Sequence, residues 1–181
     1  MLGCESEMNR AVFFDRDGVL NKAIVRQGRA YAPLTLDEFI IEADASKAVD
    51  LVRRAGFRTF VVTNQPEIAR GQLSWVTLTA MHQRLRDDVA LDGIYVCPHD
   101  SSEGCACHKP EPGLLKQAAS DWDLDLSSSF LIGDRWRDIG AGRAAKCYTI
   151  LVEREYSGNV EADYRTGDLY GAVRHILSLL A

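Results

Sequence analysis

Two carboxylates separated by one residue follow an apolar segment near the start of the chain. Residues 11–14 read Ala-Val-Phe-Phe, and Asp15, Arg16, Asp17 and Gly18 come next. Carboxylates this close repel each other unless a cation lies between them. Mg²⁺ takes oxygen ligands, so the pair indicates a magnesium site with one carboxylate left free for chemistry. The alternative is a strand followed by an acidic turn.

Polar groups also follow two later apolar segments, and a lysine lies in a loop between them. The order along the chain is Asp-x-Asp, Thr-Asn, Lys and then Gly-Asp-x-x-x-Asp. The groups after the first pair are Thr63, Asn64, Lys109, Asp134 and Asp138. Because open α/β sheets bind ligands at the carboxyl ends of their strands, we expect these groups to meet at one edge.

Three cysteines and a histidine lie within eleven residues, at Cys97, His99, Cys105 and Cys107. In a reducing compartment this spacing favours a metal site over disulfides. A set of three thiolates and one imidazole suits a closed, tetrahedral, structural Zn²⁺ site. The alternative is buried cysteines beside a loop histidine. Cys107 lies two residues before Lys109, so a zinc-bound loop would also help to position the lysine.

Alternating strand and helix patterns must position these groups. Strands are predicted at residues 10–14, 57–63, 94–96, 130–133 and 147–152, helices at 44–55, 74–89, 113–122, 137–145 and 169–180, and a long loop at 22–43. The alternation predicts a single domain over residues 1–181, folded as a three-layer α/β sandwich with a parallel sheet.

Composition narrows the function classes. The 181 residues are 46% hydrophobic, with a formal net charge of −5 and no basic run, which disfavours nucleic-acid binding. No apolar stretch approaches the roughly 18–20 residues of a membrane span. Residues 1–10 lack the apolar core of a signal peptide. We therefore expect a cytoplasmic monomer that binds neither membranes nor nucleic acid.

The ordered motifs resemble those of the haloacid dehalogenase (HAD) phosphatases, over about residues 10–155. The resemblance implies a Rossmann-like sheet, a magnesium-dependent phosphatase and Asp15 as the nucleophile that forms an aspartyl-phosphate. It implies Asp17 as general acid and then base. The implied Mg²⁺ ligands are Asp15, the backbone carbonyl of Asp17, and Asp134.

The same resemblance gives roles to the remaining polar groups. Thr63 and Asn64 would bind the phosphoryl oxygens, and Lys109 would neutralise charge. Asp138 would orient Lys109 or support the metal, and it could also be the first-turn acid of the following helix. Arg16 keeps two interpretations, in which its backbone N–H faces the phosphate or its side chain pairs at the surface.

The cysteine loop and two further segments narrow the resemblance. The loop motifs Cys-Pro-His and Cys-x-Cys-x-Lys-Pro, the Thr-Asn-Gln segment with Ile-Ala-Arg-Gly, and the Asp-Arg-Asp-Gly segment resemble the D-glycero-D-manno-heptose 1,7-bisphosphate 7-phosphatases. Histidinol-phosphate phosphatases are close relatives of that family. The resemblance implies no cap domain, so specificity is expected from loops 22–35, 65–72 and 97–112. The chain departs from the family at His108, where arginine is usual, and at Pro66-Glu67, where Ser-Gly is usual.

A small phosphorylated sugar, with a heptose 1,7-bisphosphate foremost, is the expected substrate. Its predicted contacts are Asn64, Arg26, Arg29, Tyr31, His108 and Arg135. The alternatives are a histidinol-phosphate phosphatase and a catalytically silent zinc-stabilised binding module. A polynucleotide 3′-phosphatase is disfavoured by the acidic chain.

Overall fold

A computed structural model describes residues 9–180 and contains eight strands and five helices in that range. The strands are β1 (Ala11–Phe14), β2 (Ile24–Arg26), β3 (Arg29–Tyr31), β4 (Arg58–Asn64), β5 (Gly93–Cys97), β6 (Phe130–Gly133), β7 (Tyr148–Val152) and β8 (Tyr164–Thr166). The helices are α1 (Ala45–Arg54), α2 (Trp75–Asp88), α3 (Gly113–Trp122), α4 (Trp136–Ala144) and α5 (Leu169–Ser178).

Six of the strands form one parallel sheet in the order β5-β4-β1-β6-β7-β8. The central strands β1 and β6 are apolar at every position and fully buried, as expected for strands covered on both faces. Side chains of β1 alternate between the two faces. Val12 and Phe14 pack with α1, α2 and α5, and Ala11 and Phe13 pack with α3 and α4. The predicted three-layer architecture is therefore confirmed.

Local signals place the ends of two helices as predicted. Ser74 caps α2 by accepting a hydrogen bond from the Thr77 backbone N–H at 3.0 Å. Gly56 follows α1 with a φ of +88°, the left-handed conformation that favours glycine after a helix. These two caps set where α1 ends before β4 and where α2 begins after it.

The prediction of a long loop at 22–43 is wrong, and one strand was missed. Within the predicted loop 22–43, β2 and β3 form an antiparallel hairpin whose turn, Gln27 and Gly28, has positive φ angles. Its strands are only three residues long and mostly exposed, so they lack the apolar run that marks a buried strand. The missed strand is the edge strand β8, which is also three residues long and lacks an apolar run.

Within residues 9–180, the segments between strands consist of these helices, the hairpin and short irregular or 3₁₀ turns. No helix in this range is long and apolar enough to cross a membrane.

Candidate active site

Groups from four segments converge at the carboxyl edge of the sheet. Asp15 follows β1, Thr63 is the penultimate residue of β4, Asp134 follows β6, and Lys109 comes from the loop after β5. All four are nearly inaccessible, at 3% exposure or less. The parallel strand order places β1 between β4 and β6, so segments far apart in sequence meet at Asp15.

Lys109 contacts two carboxylates of the site, those of Asp15 and Asp138. Its Nζ donates hydrogen bonds to Asp15 Oδ1 at 2.8 Å, to Asp138 Oδ1 at 2.6 Å and to the Val62 carbonyl oxygen at 2.8 Å. The negative charges of Asp138 and Asp15 outweigh burial and raise the lysine pKa, so Lys109 is cationic. The three acceptors fix the ammonium beside the carboxylate of Asp15.

Asp138 performs both of the structural roles predicted for it. One carboxylate oxygen accepts from Lys109, and the other accepts from the backbone N–H of Arg135 at 3.0 Å, at the first turn of α4. Gly133 makes this approach possible, because a Cβ at that position would overlap the carboxylate of Asp138. The helix start and the orientation of the lysine therefore depend on the same side chain.

The carboxylates of Asp15, Asp134 and Asp138 lie close enough to hold a cation, with ligand atoms within 4.8 Å of one another. Burial raises the pKa of Asp134 to about 8, and the charges of Asp138 and Asp15 add to the effect. Burial and Asp138 likewise raise the pKa of Asp15 to about 6, despite Lys109. Buried Asp134 Oδ1 has no hydrogen-bond partner among the described residues. An oxygen-binding cation such as Mg²⁺ fits this set, since it would relieve the repulsion and satisfy that oxygen.

A segment after β7 supports Asp134 and was not predicted from the sequence. Tyr156 donates its hydroxyl proton to Asp134 Oδ2 at 2.6 Å, and Ser157 donates to the Asp134 carbonyl oxygen at 2.6 Å. Arg154 binds the carbonyl oxygen of Gly18 through two N–H groups, at 3.0 and 2.9 Å. Gly18 has a φ of +90°, and a Cβ there would overlap Asp134 and Tyr156. Glycine at this position therefore allows the chain to turn sharply after β1 while it packs against Asp134.

Asp17 is held by side chains on both of its oxygens. Oδ1 accepts from Arg16 Nε at 3.0 Å and from Asn21 at 2.9 Å, and Oδ2 accepts from Arg16 Nη2 and Gln65, both at 2.9 Å. Two of these contacts form a bidentate guanidinium–carboxylate pair. The carboxylate of Asp17 is thus fixed in one orientation.

The surface pairing considered for Arg16 is wrong, because this side chain is completely buried. The backbone N–H of Arg16 donates to Asp15 Oδ1 at 2.8 Å. Its guanidinium also contacts His82 Nε2 at 3.2 Å. Burial and the charge of Arg16 lower the pKa of His82 to about 3, so the imidazole is neutral. No sequence pattern distinguished this arginine from a surface residue.

The cysteine cluster forms in the loop after β5, as predicted. The sulfurs of Cys97, Cys105 and Cys107 lie 3.0–3.5 Å apart, too far for a disulfide, and Nδ1 of His99 lies 3.3 Å from the Cys107 sulfur. Three sulfurs and one ring nitrogen within 4.8 Å of one another match the donor set of a structural Zn²⁺ site.

A cavity of about 200 Å³ opens over the carboxylates. Of the predicted substrate contacts, Tyr31, Asn64 and Arg135 line it. Arg26 lines an adjoining cavity of about 270 Å³, and Arg29 lies exposed on β3. Three further charged residues line the first cavity. Glu67 and Arg70 lie in the predicted specificity loop 65–72 but were not named individually, and Arg137 was not predicted.

His108 and Asn64 face different surroundings. Nδ1 of His108 lies 3.0 Å from the His99 carbonyl oxygen and 3.9 Å from the Cys97 sulfur, and the residue lines a cavity beside the cysteine loop. Asn64 exchanges two hydrogen bonds with the backbone of Lys109, at 3.0 and 3.1 Å. Contact of His108 with substrate stays a prediction, whereas Asn64 joins β4 to the loop that carries Lys109.

Comparison with known proteins gives the same family. A family model described as HAD-hydrolase-like matches residues 106–171. The D-glycero-beta-D-manno-heptose-1,7-bisphosphate 7-phosphatase of Pseudomonas aeruginosa is 40% identical over 152 residues, which cover 81% of this chain and 83% of the relative. The enzyme of the same name from Pasteurella multocida is 37% identical over 158 residues, with coverage of 81% and 83%.

A solved structure agrees with the sequence matches. The D,D-heptose 1,7-bisphosphate phosphatase of B. bronchiseptica, crystallised with magnesium and phosphate, superposes with a TM-score of 0.81 at 29% identity. The superposition covers 94% of this chain and 99% of that one. The chain belongs to the D-glycero-beta-D-manno-heptose-1,7-bisphosphate 7-phosphatase family of HAD-like hydrolases.

Proposed function

We propose that this protein is a magnesium-dependent phosphatase that removes the 7-phosphate of a heptose 1,7-bisphosphate. The observation that carries the proposal is the buried contact of Lys109 with both Asp15 and Asp138, beside a fixed Asp17, under an open cavity. The names of the relatives support the substrate class.

The proposed reaction has two steps. An oxygen of Asp15 attacks phosphorus, the bond from phosphorus to the sugar oxygen breaks, and Asp17 gives its proton to that oxygen. In the second step Asp17 takes a proton from water, which attacks the aspartyl-phosphate and releases phosphate and free Asp15. Lys109 and the hydroxyl of Thr63 stabilise the negative charge on the phosphoryl oxygens.

Asp15, Asp134 and the backbone carbonyl of Asp17 would hold Mg²⁺, with Asp138 beside them. The ion supplies positive charge to the phosphoryl oxygens when it is bound. The Tyr156 hydroxyl binds Oδ2 of Asp134, and Oδ1 has no hydrogen bond among the described residues, with Arg135 Nε 3.6 Å away. Oδ1 could therefore serve as a cation ligand. Magnesium in the related B. bronchiseptica structure supports this assignment.

Cys97, His99, Cys105 and Cys107 would hold a structural Zn²⁺ that orders the loop carrying Lys109.

We also propose that the chain acts as a single-domain monomer in the cytoplasm, without nucleic-acid or membrane partners. In the substrate contacts, Arg135, Tyr31 and Asn64 have the strongest support because they line the catalytic cavity. Arg26, Arg29 and His108 remain candidates for more distant parts of the substrate.

A phosphate-release assay tests the proposal. The purified protein is incubated with heptose 1,7-bisphosphate, the corresponding 1- and 7-monophosphates and histidinol phosphate, with and without Mg²⁺. We expect kcat/KM to be highest for the bisphosphate and to depend on magnesium. A higher kcat/KM for histidinol phosphate would indicate that the protein is a histidinol-phosphate phosphatase instead. The absence of magnesium-dependent release from every substrate would instead favour the silent binding module.

A further inference from the structure

The segment after β7 donates hydrogen bonds to the candidate magnesium site, and the two proposed reaction steps use none of them. Ser157 donates to the backbone carbonyl oxygen of Asp134 at 2.6 Å. Tyr156 donates its hydroxyl proton to the carboxylate of the same residue, also at 2.6 Å. Two hydrogen bonds of equal length thus reach Asp134 from neighbouring residues, one on its backbone and one on its side chain. Only the second can affect how the carboxylate binds a cation.

The two carboxylate oxygens of Asp134 have different surroundings. Oδ2 accepts the hydroxyl of Tyr156 and packs against Gly18, where a Cβ would overlap both Oδ2 and the hydroxyl oxygen. Oδ1 has no hydrogen bond among the described residues, and Nε of Arg135 lies 3.6 Å away from it. The three acids of the cluster bring ligand atoms within 4.8 Å of one another. Protein atoms therefore enclose one oxygen, and the other is left to a cation.

This arrangement limits how many ligands Asp134 can supply. A carboxylate binds an ion through two oxygens only when both of them turn toward it. For Asp134 that rotation would break the hydrogen bond to Tyr156 and move Oδ2 away from Gly18. A hydrogen bond to a charged group is among the stronger ones in proteins, so the rotation is unfavourable. Asp134 thus offers a cation one oxygen.

The number of ligands distinguishes the two common divalent cations that bind oxygen. Mg²⁺ takes about six oxygens in a strict octahedron and keeps several waters, so one oxygen from each carboxylate suits it. Ca²⁺ is larger and takes about six to eight oxygens, often two of them from one carboxylate. A carboxylate restricted to one oxygen therefore costs Ca²⁺ a ligand and costs Mg²⁺ nothing.

We propose that Tyr156 is a positioning residue that restricts Asp134 to one-oxygen coordination and thereby makes the site select Mg²⁺ over Ca²⁺. The inference rests on the magnesium site of the proposed function and assigns the residue that sets the ion selectivity of that site.

The test measures the binding of each ion without reference to activity. Thermal denaturation of the full chain in increasing MgCl₂ or CaCl₂, at constant ionic strength, gives a Kd for each ion from the rise in Tm. In Tyr156→Phe, which removes only the hydroxyl, the Mg²⁺ affinity should fall by about 10–100-fold, as when a metal ligand loses its supporting hydrogen bond. The Ca²⁺ affinity should fall less, because Oδ2 can then turn toward the larger ion. The preference for Mg²⁺ should thus decrease by about threefold or more.

Ser157→Ala is the matched control. It removes a hydrogen bond of the same length to the backbone of Asp134 and leaves the bond to its carboxylate in place. Any loosening of the segment should weaken both ions by the same factor, so the wild-type preference should remain. Tyr156→Leu also lacks the hydroxyl and repeats the test with a different side chain, should the phenylalanine ring fail to pack.

An unchanged preference in Tyr156→Phe and Tyr156→Leu would overturn the inference, and so would an equal decrease in Ser157→Ala. A wild type that binds no Mg²⁺ would overturn both the inference and the magnesium site of the proposed function. Selectivity that depends on Tyr156, in a protein that releases no phosphate from any tested substrate, would support the inference and count against the phosphatase assignment alone.

Discussion

The carboxylate cluster and the cysteine cluster bring like charges together in opposite ways. Asp15, Asp134 and Lys109 come from segments separated by up to 119 positions, and the parallel sheet holds them together in a buried site. The cysteine ligands come from eleven consecutive positions in a loop, and two of them are only partly buried. The acids are therefore positioned by the fold, whereas the proposed Zn²⁺ would hold the cysteines of the loop in place.

This contrast predicts that damage to the two clusters has different effects. A substitution in the carboxylate cluster should abolish catalysis without unfolding the protein, because the strand ends remain where the sheet places them. A change in the cysteine cluster should loosen the loop first and reduce activity through Lys109. The following experiments test that distinction.

Asp15→Asn should have the largest effect on activity. The amide has nearly the same shape but is a poor nucleophile, so kcat should fall by at least about 10³-fold. The melting temperature should stay the same or rise, since burial already disfavours the carboxylate. Steady-state kinetics and thermal denaturation check both expectations. Asp44→Asn, at an exposed helix start without a side-chain cap, is the control. Activity within tenfold of the wild type would contradict the nucleophile assignment.

Arg16→Lys should reduce activity through the orientation of Asp17. Lysine keeps the charge but cannot form the bidentate pair, so we expect kcat/KM to fall by about 10–100-fold for sugar phosphates. Aryl phosphates should lose less, because their leaving groups need less help from a proton donor. The measurement is kcat/KM for both classes, with exposed Arg54→Lys as the control. Equal losses for the two classes would show that Arg16 does not act through Asp17.

Cys107→Ser should release zinc and lower stability before it affects chemistry. We expect the metal content to fall from about one zinc per chain to near zero, with a drop in melting temperature and a loss of activity of about tenfold. Cys147→Ala removes a buried thiol outside the cluster and should retain zinc. Metal analysis by mass spectrometry checks the content. Full zinc retention in Cys107→Ser would rule out this cysteine as a ligand.

The smallest effect concerns pH. The pKa of Asp134 in the folded protein is about 8, above its ordinary value of 3.8. At pH values between these two, the folded protein therefore binds more protons than the unfolded chain. Stability in magnesium-free buffer should therefore increase as pH falls from 8 to 6.5, by about 2–4 °C in Tm. Below 6.5 the buried neutral His82 opposes this trend. Saturating Mg²⁺ should flatten the rise, and the same slope with and without magnesium would argue against the metal at Asp134.

The convergence of the candidate catalytic residues was predictable because each of them lies at the end of a recognisable apolar strand or in a marked loop. Asp15, Lys109 and Asp134 needed only the order of motifs and the rule that parallel strand ends share an edge. The burial of Arg16 was not predictable, since its guanidinium contacts Gln65 and His82, which come from two distant segments. Likewise, Tyr156 reaches Asp134 only because the chain returns after β7.

The substrate side was the least predictable part. The hairpin of β2 and β3 carries Arg26, Arg29 and Tyr31, yet only Tyr31 lines the catalytic cavity. The twist and docking of the short hairpin decide which of its exposed side chains faces a cavity. This orientation leaves no apolar periodicity in the sequence from which it could be predicted. Glu67 was visible in the sequence as a departure from the family, but its place in the cavity wall required the fold.

One residue, His108, separates the last cysteine from the lysine, and this short spacing has a consequence for loop engineering. Any insertion between positions 107 and 109 would uncouple the ammonium of Lys109 from the proposed zinc site, so we expect that interval not to tolerate lengthening. The stretch between His99 and Cys105 is different, because its 3₁₀ turn at Ser101–Glu103 is exposed and carries its own capping box. That turn is the place where a foreign peptide could be grafted beside the catalytic cavity while the lysine keeps its anchor.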